Sequence, residues 1–150
     1  MAINLKNFLL SQNRKSIIGH FQDLDHIDGV AISTISANLY KDPRDDLVLF
    51  YFRDGANCAS VYTQSKIISE NIKWNLNVKN NSIKALMVNT RNANAFTGKL
   101  GFKGIVQIAE ELSKQLTIKM TQDEEKINLV KPNQILFGCT GTIGEVFPTE

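Results

Sequence analysis

Leu47-Val48-Leu49-Phe50-Tyr51-Phe52 limits this chain more than any other segment: six consecutive aliphatic or aromatic residues between two clusters of turn formers. Before it, Tyr40 to Asp46 contains Pro43 and three aspartates, and after it comes Arg53-Asp54-Gly55-Ala56-Asn57. The run has strand length and no polar alternation, so it is expected to be a strand buried on both faces. A strand of that kind needs neighbours on either side and a layer above and below.

The rest of the pattern supplies candidates. Val30 to Ser36 reads as a strand, and Cys58 to Thr63 as another short one. Lys66 to Leu76 places Ile68, Ile72 and Leu76 on one helical stripe, and Ile83 to Val88 is a second buried strand. The clearest helix spans Gly101 to Leu116, where Phe102, Ile105, Val106, Ala109, Leu112 and Leu116 recur at helical spacing. A polar segment from Thr121 to Lys131 ends at Pro132, and Ile135-Leu136-Phe137 forms a last short strand. Strands interleaved with few helices indicate a mixed α/β fold of α and β layers, not a regularly wound parallel sheet.

Composition narrows the function classes. The 150 residues are 43% hydrophobic and 21% charged, enough for one domain with a core. A net charge of +2 without a clustered basic field gives no nucleic-acid or membrane surface. No apolar run reaches the ~18 residues of a transmembrane helix. Cys58 and Cys139 lie far apart without metal-ligand spacing, so two buried free thiols in a reducing compartment are expected ahead of a disulfide. His20 and His26 lack spacing partners, so no metal site is expected, and no pair of carboxylates is placed for acid–base work. Trp74 is expected to pack. Residues 1–25 read as an N-terminal extension whose first 22 residues hold Lys6, Arg14 and Lys15 and no acid. A short amphipathic helix or a disordered extension is the expectation there, and an organellar transit peptide the alternative.

Two segments carry chemistry. Asn89-Thr90-Arg91-Asn92-Ala93-Asn94-Ala95-Phe96-Thr97-Gly98 joins a buried strand to the best helix. Asparagines bond nearby backbone and tolerate left-handed conformations, so this loop is expected to be stiff, with Thr97 capping the helix. Gly138-Cys139-Thr140-Gly141-Thr142-Ile143-Gly144 follows an apolar strand. A glycine N–H and a neighbouring threonine hydroxyl can converge on one point, as a developing oxyanion requires. A glycine-rich turn without catalytic role fits the spacing equally. The glycines do not follow the dinucleotide-binding spacing.

These segments, in this order, resemble the ornithine acetyltransferase (bifunctional glutamate N-acetyltransferase) family, whose members carry N-S-G-N-A-N-A-x-T-G and then S-T-G-V-I-G. Ala59-Ser60-Val61-Tyr62-Thr63-Gln64-Ser65-Lys66 resembles a third family segment, and Ile27-Asp28-Gly29-Val30-Ala31 lies where the family's first strand begins. The resemblance covers roughly residues 26–148. It implies part of an N-terminal-nucleophile-like sandwich, with residues 26–150 as the incomplete N-terminal domain of an α chain. It implies acetyl transfer from N-acetylornithine to glutamate in arginine biosynthesis, with Thr140 and Gly141 forming the oxyanion hole and Asn92 and Asn94 binding substrate. Family members cleave themselves to expose a threonine nucleophile, which implies a β-chain partner in a heterotetramer. No cofactor is implied, acetyl-CoA is a second acetyl donor to consider, and the location implied is cytoplasmic, with mitochondria as alternative.

The chain departs from the family pattern. Arg91 replaces a glycine, Phe96 and Cys139 replace small residues, and Thr142 replaces an apolar one. No Ala-Thr-Met cleavage segment follows the Thr-Gly loop, and Met120-Thr121 has the wrong order and place. The chain by itself is therefore expected to be inactive. A non-catalytic binding or scaffold module of the same fold is the alternative.

Overall fold

The computed structural model describes residues 27–79, 81–124 and 129–149. The N-terminal extension and both histidines lie outside the described residues. Elements follow in the order β1 (Val30–Ile35), β2 (Leu47–Asn57), α1 (Glu70–Asn77), β3 (Ser82–Asn89), α2 (Gly98–Glu124), a 3-10 turn (Pro132–Gln134) and β4 (Ile135–Cys139). The strands form one sheet in the order β1-β2-β3-β4. The first three are antiparallel, and β4 runs parallel to β3. A parallel neighbour needs a crossover, and α2 provides it.

That β3–α2–β4 unit fixes where the motifs go. Each follows the C-terminal end of one of two adjacent parallel strands, so both emerge at the same end of the sheet. Alternation along the strands sends Leu49, Tyr51, Ala85, Met87, Ile135 and Phe137 towards α2, where they pack with Ile105, Ala109 and Leu116. Burying each large side chain there contributes about 1.5–3 kcal/mol.

The other face is different. Val48, Phe50, Phe52, Leu86 and Val88 alternate onto it and are only half-buried, and Ile32 is 63% exposed. The six-residue apolar run is thus a strand as expected, but covered on one face, because α1 and α2 both lie away from the other.

α1 sits beside the outer edge of β4. Asn75 donates through Nδ2 to the Phe137 carbonyl (2.9 Å) and accepts the Phe137 N–H at Oδ1 (3.0 Å). The Trp74 indole N–H donates to the Ile135 carbonyl at 2.9 Å, while its ring meets Phe137 edge-on. Trp74 therefore packs as the sequence suggested. An amide side chain here replaces the strand that β4 lacks.

Five expectations change. Residues 53–57 are not a turn: β2 continues through them with a bulge, its pairing shifting between Tyr51 and Ala56. Cys58 to Thr63 forms no strand but an exposed irregular segment, with Val61 98% exposed. α1 begins at Glu70, not Lys66, because Ser65 bonds both the N–H and the carbonyl of Ile67 and bends the chain there. α2 outruns its apolar stripe and takes in the start of the polar segment, ending at Glu124. Cys58 and Cys139 are both free, as expected, but half-buried instead of buried.

Candidate active site

Beyond β3 and β4 the two motif segments keep pairing. Thr140 N–H donates to the Asn89 carbonyl (3.1 Å), and Thr142 N–H to the Arg91 carbonyl (2.7 Å). Ala93 N–H donates to the Thr142 carbonyl (3.0 Å), and Gly144 N–H to the Ala95 carbonyl (2.8 Å). Asn92 and Thr142 form a parallel bridge. The sequence had placed these motifs about 50 residues apart in the chain, and the crossover lays them side by side.

This ladder decides where Gly141 points. The N–H groups on either side of it, of Thr140 and Thr142, turn towards the Asn-rich loop. Successive N–H groups of an extended strand alternate in direction, so that of Gly141 faces away, past the end of β4. Neither the Gly141 N–H nor the Thr140 hydroxyl bonds any described residue, and both residues are exposed. Gly141 has φ +130°, and a Cβ there would run into the Arg91 peptide. Only glycine allows the two loops to approach this closely.

The Asn-rich loop is stiff for reasons of its own. Asn94 is fully buried, with φ +49°. Its Nδ2 donates to the Gly101 carbonyl (3.2 Å), its Oδ1 accepts the Thr97 hydroxyl (2.7 Å), and its carbonyl accepts the Glu70 N–H (2.9 Å). One residue thereby joins the start of α1 to the first turn of α2. The Thr97 hydroxyl, expected to cap α2, is spent on Asn94. Gly101 admits no Cβ, which would collide with Asn94 and Thr97. Asn92 is 3% exposed, and its carbonyl accepts Asn89 Nδ2 at 3.0 Å.

Arg91 adopts φ +85°, the left-handed conformation that a glycine would take freely. Its guanidinium is engaged by two residues beyond the Thr-Gly pair. It donates to the Thr142 hydroxyl (2.8 Å) and pairs with the Glu145 carboxylate. Sequence reasoning passed over Glu145, because nothing in its spacing from Arg91 betrays the contact. Beside Thr140, burial pushes the Cys139 thiol up to about 12, so it stays protonated near neutral pH and is no nucleophile.

A cleft of about 860 Å³ lies elsewhere, between α2 and β1–β2, lined by Ile35, Leu47, Leu49, Ile108 and Leu112 among others. No residue of the two motif loops lines it. It marks the part of the sheet that α2 leaves uncovered, with Gln107, Glu110, Glu111, Lys114 and Gln115 of α2 along one wall and apolar strand residues along the other.

Comparison with known proteins fits this arrangement. The family model described as "ArgJ family" matches residues 31–150. The chain belongs to the ArgJ family. An arginine biosynthesis bifunctional protein ArgJ from Bartonella henselae is 33% identical over 128 residues, covering 84% of this chain and 28% of that protein. One from Zymomonas mobilis is 29% identical over 127 residues, again covering 84% and 28%. The chain thus spans less than a third of the curated ArgJ relatives it matches. Among solved structures, ornithine acetyltransferase of Mycobacterium tuberculosis complexed with ornithine aligns with a TM-score of 0.71 at 22% identity, over 81% of this chain and 61% of that one. ArgJ from Bacillus halodurans aligns with a TM-score of 0.66 at 23% identity, over 81% and 58%. The fold is that of the ArgJ structures, a mixed α/β fold.

Proposed function

We propose that this chain supplies the oxyanion-hole portion of a bifunctional ornithine acetyltransferase, moving an acetyl group from N-acetylornithine to glutamate. The observation that carries the reading is the pair of unspent donors, the Thr140 hydroxyl and the Gly141 N–H, at the end of β4. As a threonine nucleophile attacks the acetyl carbonyl, its oxygen gains charge, and two fixed donors stabilise that charge without reorganising. The nucleophile and its amine base would come from a partner β chain within a heterotetramer. The half-open apolar face of Val48, Phe50, Phe52, Leu86 and Val88 is where we seat the missing layer. Relatives favour more than one chain: the aligned region covers 58% of the Bacillus halodurans crystal chain but only 28% of whole curated proteins. Asn94 we assign to holding the loop, since its amide is spent inside the fold. Asn92 stays a candidate substrate contact. The two free thiols favour a cytoplasmic location.

One observation favours a second reading, a non-catalytic module of the same fold: Arg91 stands where the family has glycine. The two readings separate in one experiment. Supply the downstream region in trans, confirm folding by Tm, and measure kcat and KM for N-acetylornithine and glutamate. This chain alone gives no turnover. In the reconstituted enzyme Thr140→Ala lowers kcat roughly 10²-fold or more with KM little changed. No activity on reconstitution favours the scaffold reading, and an unchanged kcat in Thr140→Ala removes the oxyanion role.

A further inference from the structure

Three of the four non-glycine residues with positive φ among the described residues fall in one loop: Arg91 (+85°), Asn94 (+49°) and Phe96 (+59°). Such conformations are strained and persist only where surrounding contacts hold them. For Asn94 those contacts are its buried amide bonds. Phe96 is 69% exposed and carries the carbonyl-side neighbour of the Ala95–Gly144 bond. Arg91 is the unexpected member, because arginine has no local hydrogen bond of its own that favours this region, as asparagine does.

We propose that Arg91 is a positioning residue: its guanidinium straps the Asn-rich loop to Thr142 and Glu145 and so fixes the direction of the Gly141 N–H. The geometry is specific. Gly141 lies between two held residues. Before it, Thr140 N–H is tied to the Asn89 carbonyl at 3.1 Å. After it, the Arg91 carbonyl takes the Thr142 N–H at 2.7 Å, and the Arg91 side chain reaches the Thr142 hydroxyl at 2.8 Å and the Glu145 carboxylate, while the Arg91 peptide fills the place where a Cβ on Gly141 would stand. Backbone and side chain of Arg91 thus both hold the C-terminal flank of the segment that bears the donor. The Arg91 and Glu145 side chains are 34% and 41% exposed, so the ion pair is partly shielded from solvent and stronger than an open surface pair. A glycine at position 91 would give the same backbone without strain but no strap. Arginine accepts the strain and adds the strap.

The proposal rests on the oxyanion reading only for its purpose; the strap itself is testable in this chain without any turnover. Backbone ¹⁵N relaxation on the full chain reads the order of the Gly141 amide, with the Ala85 and Ile135 amides as internal standards. In the unaltered chain Gly141 is rigid, with an order parameter near ~0.85. Arg91→Ala and Glu145→Gln each lower it towards ~0.6 or below while the standards hold. Arg91→Lys, which keeps a cation able to reach Glu145, gives an intermediate value. Arg91→Gly, which relieves the backbone but removes the strap, behaves like Arg91→Ala. An unchanged Gly141 in Glu145→Gln overturns the proposal, since the residue-91 backbone alone would then suffice. So does a rigid Gly141 in Arg91→Gly, or an equal loosening of the standards. If Arg91→Ala fails to fold, Glu145→Gln, which leaves the backbone conformation at residue 91 untouched, decides alone. A confirmed strap with no acetyl transfer on reconstitution counts against the function and not against the strap.

Discussion

The two faces of the sheet carry nearly the same chemistry and meet different fates. Towards α2, Ala85 and Ile135 are fully buried, and Ile105 and Ala109 close over them. On the opposite face Phe50, Phe52, Leu86 and Val88 are as apolar, yet none is fully buried. Hydrophobicity alone therefore does not place a residue in the core of this chain; a covering layer does. The packed core of the chain lies on one face, while on the other Leu136 is buried and Phe50, Phe52, Leu86 and Val88 stay half-buried.

Truncating one residue on each face should break or sharpen that contrast. Ile135→Ala leaves a cavity in a packed layer and is expected to cost about 2–5 kcal/mol. Phe50→Ala, which removes a larger side chain, is expected to cost less than Ile135→Ala in urea unfolding of this chain and to reduce any self-association seen by sedimentation. Equal costs would mean that the second face is covered in solution. A smaller effect is expected at the edge between the faces. Asn75→Ala strips the Phe137 N–H of its side-chain partner and leaves the Phe137 carbonyl the longer bond from Asn71 (3.4 Å), at about 1–3 kcal/mol for the buried N–H left unpaired. A loss below ~0.5 kcal/mol would show that water replaces the amide and that the edge is open.

An effect confined to high pH concerns Cys139, which points to the covered face. Its folded value, pushed up to about 12 by burial, lies above the ordinary 9.0. The unfolded chain therefore releases this proton first as pH rises. The stability tied to the neutral thiol is complete below pH 9 and fades between 9 and 12. Relative to Cys139→Ala, the unaltered chain should lose stability across that window, measured as urea midpoints at successive pH values. Parallel curves would place the thiol in contact with water.

Much of this was legible beforehand. The helical stripe from Phe102 to Leu116, the strand runs at Leu47 and Ile83, and the presence of an Asn-rich loop and a Thr-Gly loop all follow from local pattern. What was missed depends on contacts across the chain. Arg53-Asp54-Gly55 has turn chemistry, but β3 and the Lys84 ammonium, which donates to the Arg53 carbonyl, hold it in the sheet as a bulge. Cys58 to Thr63 has strand-forming residues but no strand beside it to pair with. Thr97 looks like a cap, yet Asn94 competes for its hydroxyl. At the candidate site the donors Thr140 and Gly141 were readable as a pair, whereas the Arg91–Glu145 contact was not, because it exists only once the parallel crossover has set the two loops in register.

The α1 side chains that bond β4 have one more consequence, for growth. A sheet with two free edges can add copies at both and extend without limit. Here β4 is plugged by α1, and among the described residues β1, exposed along nearly its whole length, is the open edge. Edge-to-edge joining can then happen once, β1 against β1 about a two-fold axis, after which no free edge remains. Three side chains of α1, Asn71, Trp74 and Asn75, thus make strand addition in this chain a terminating reaction in place of a polymerising one.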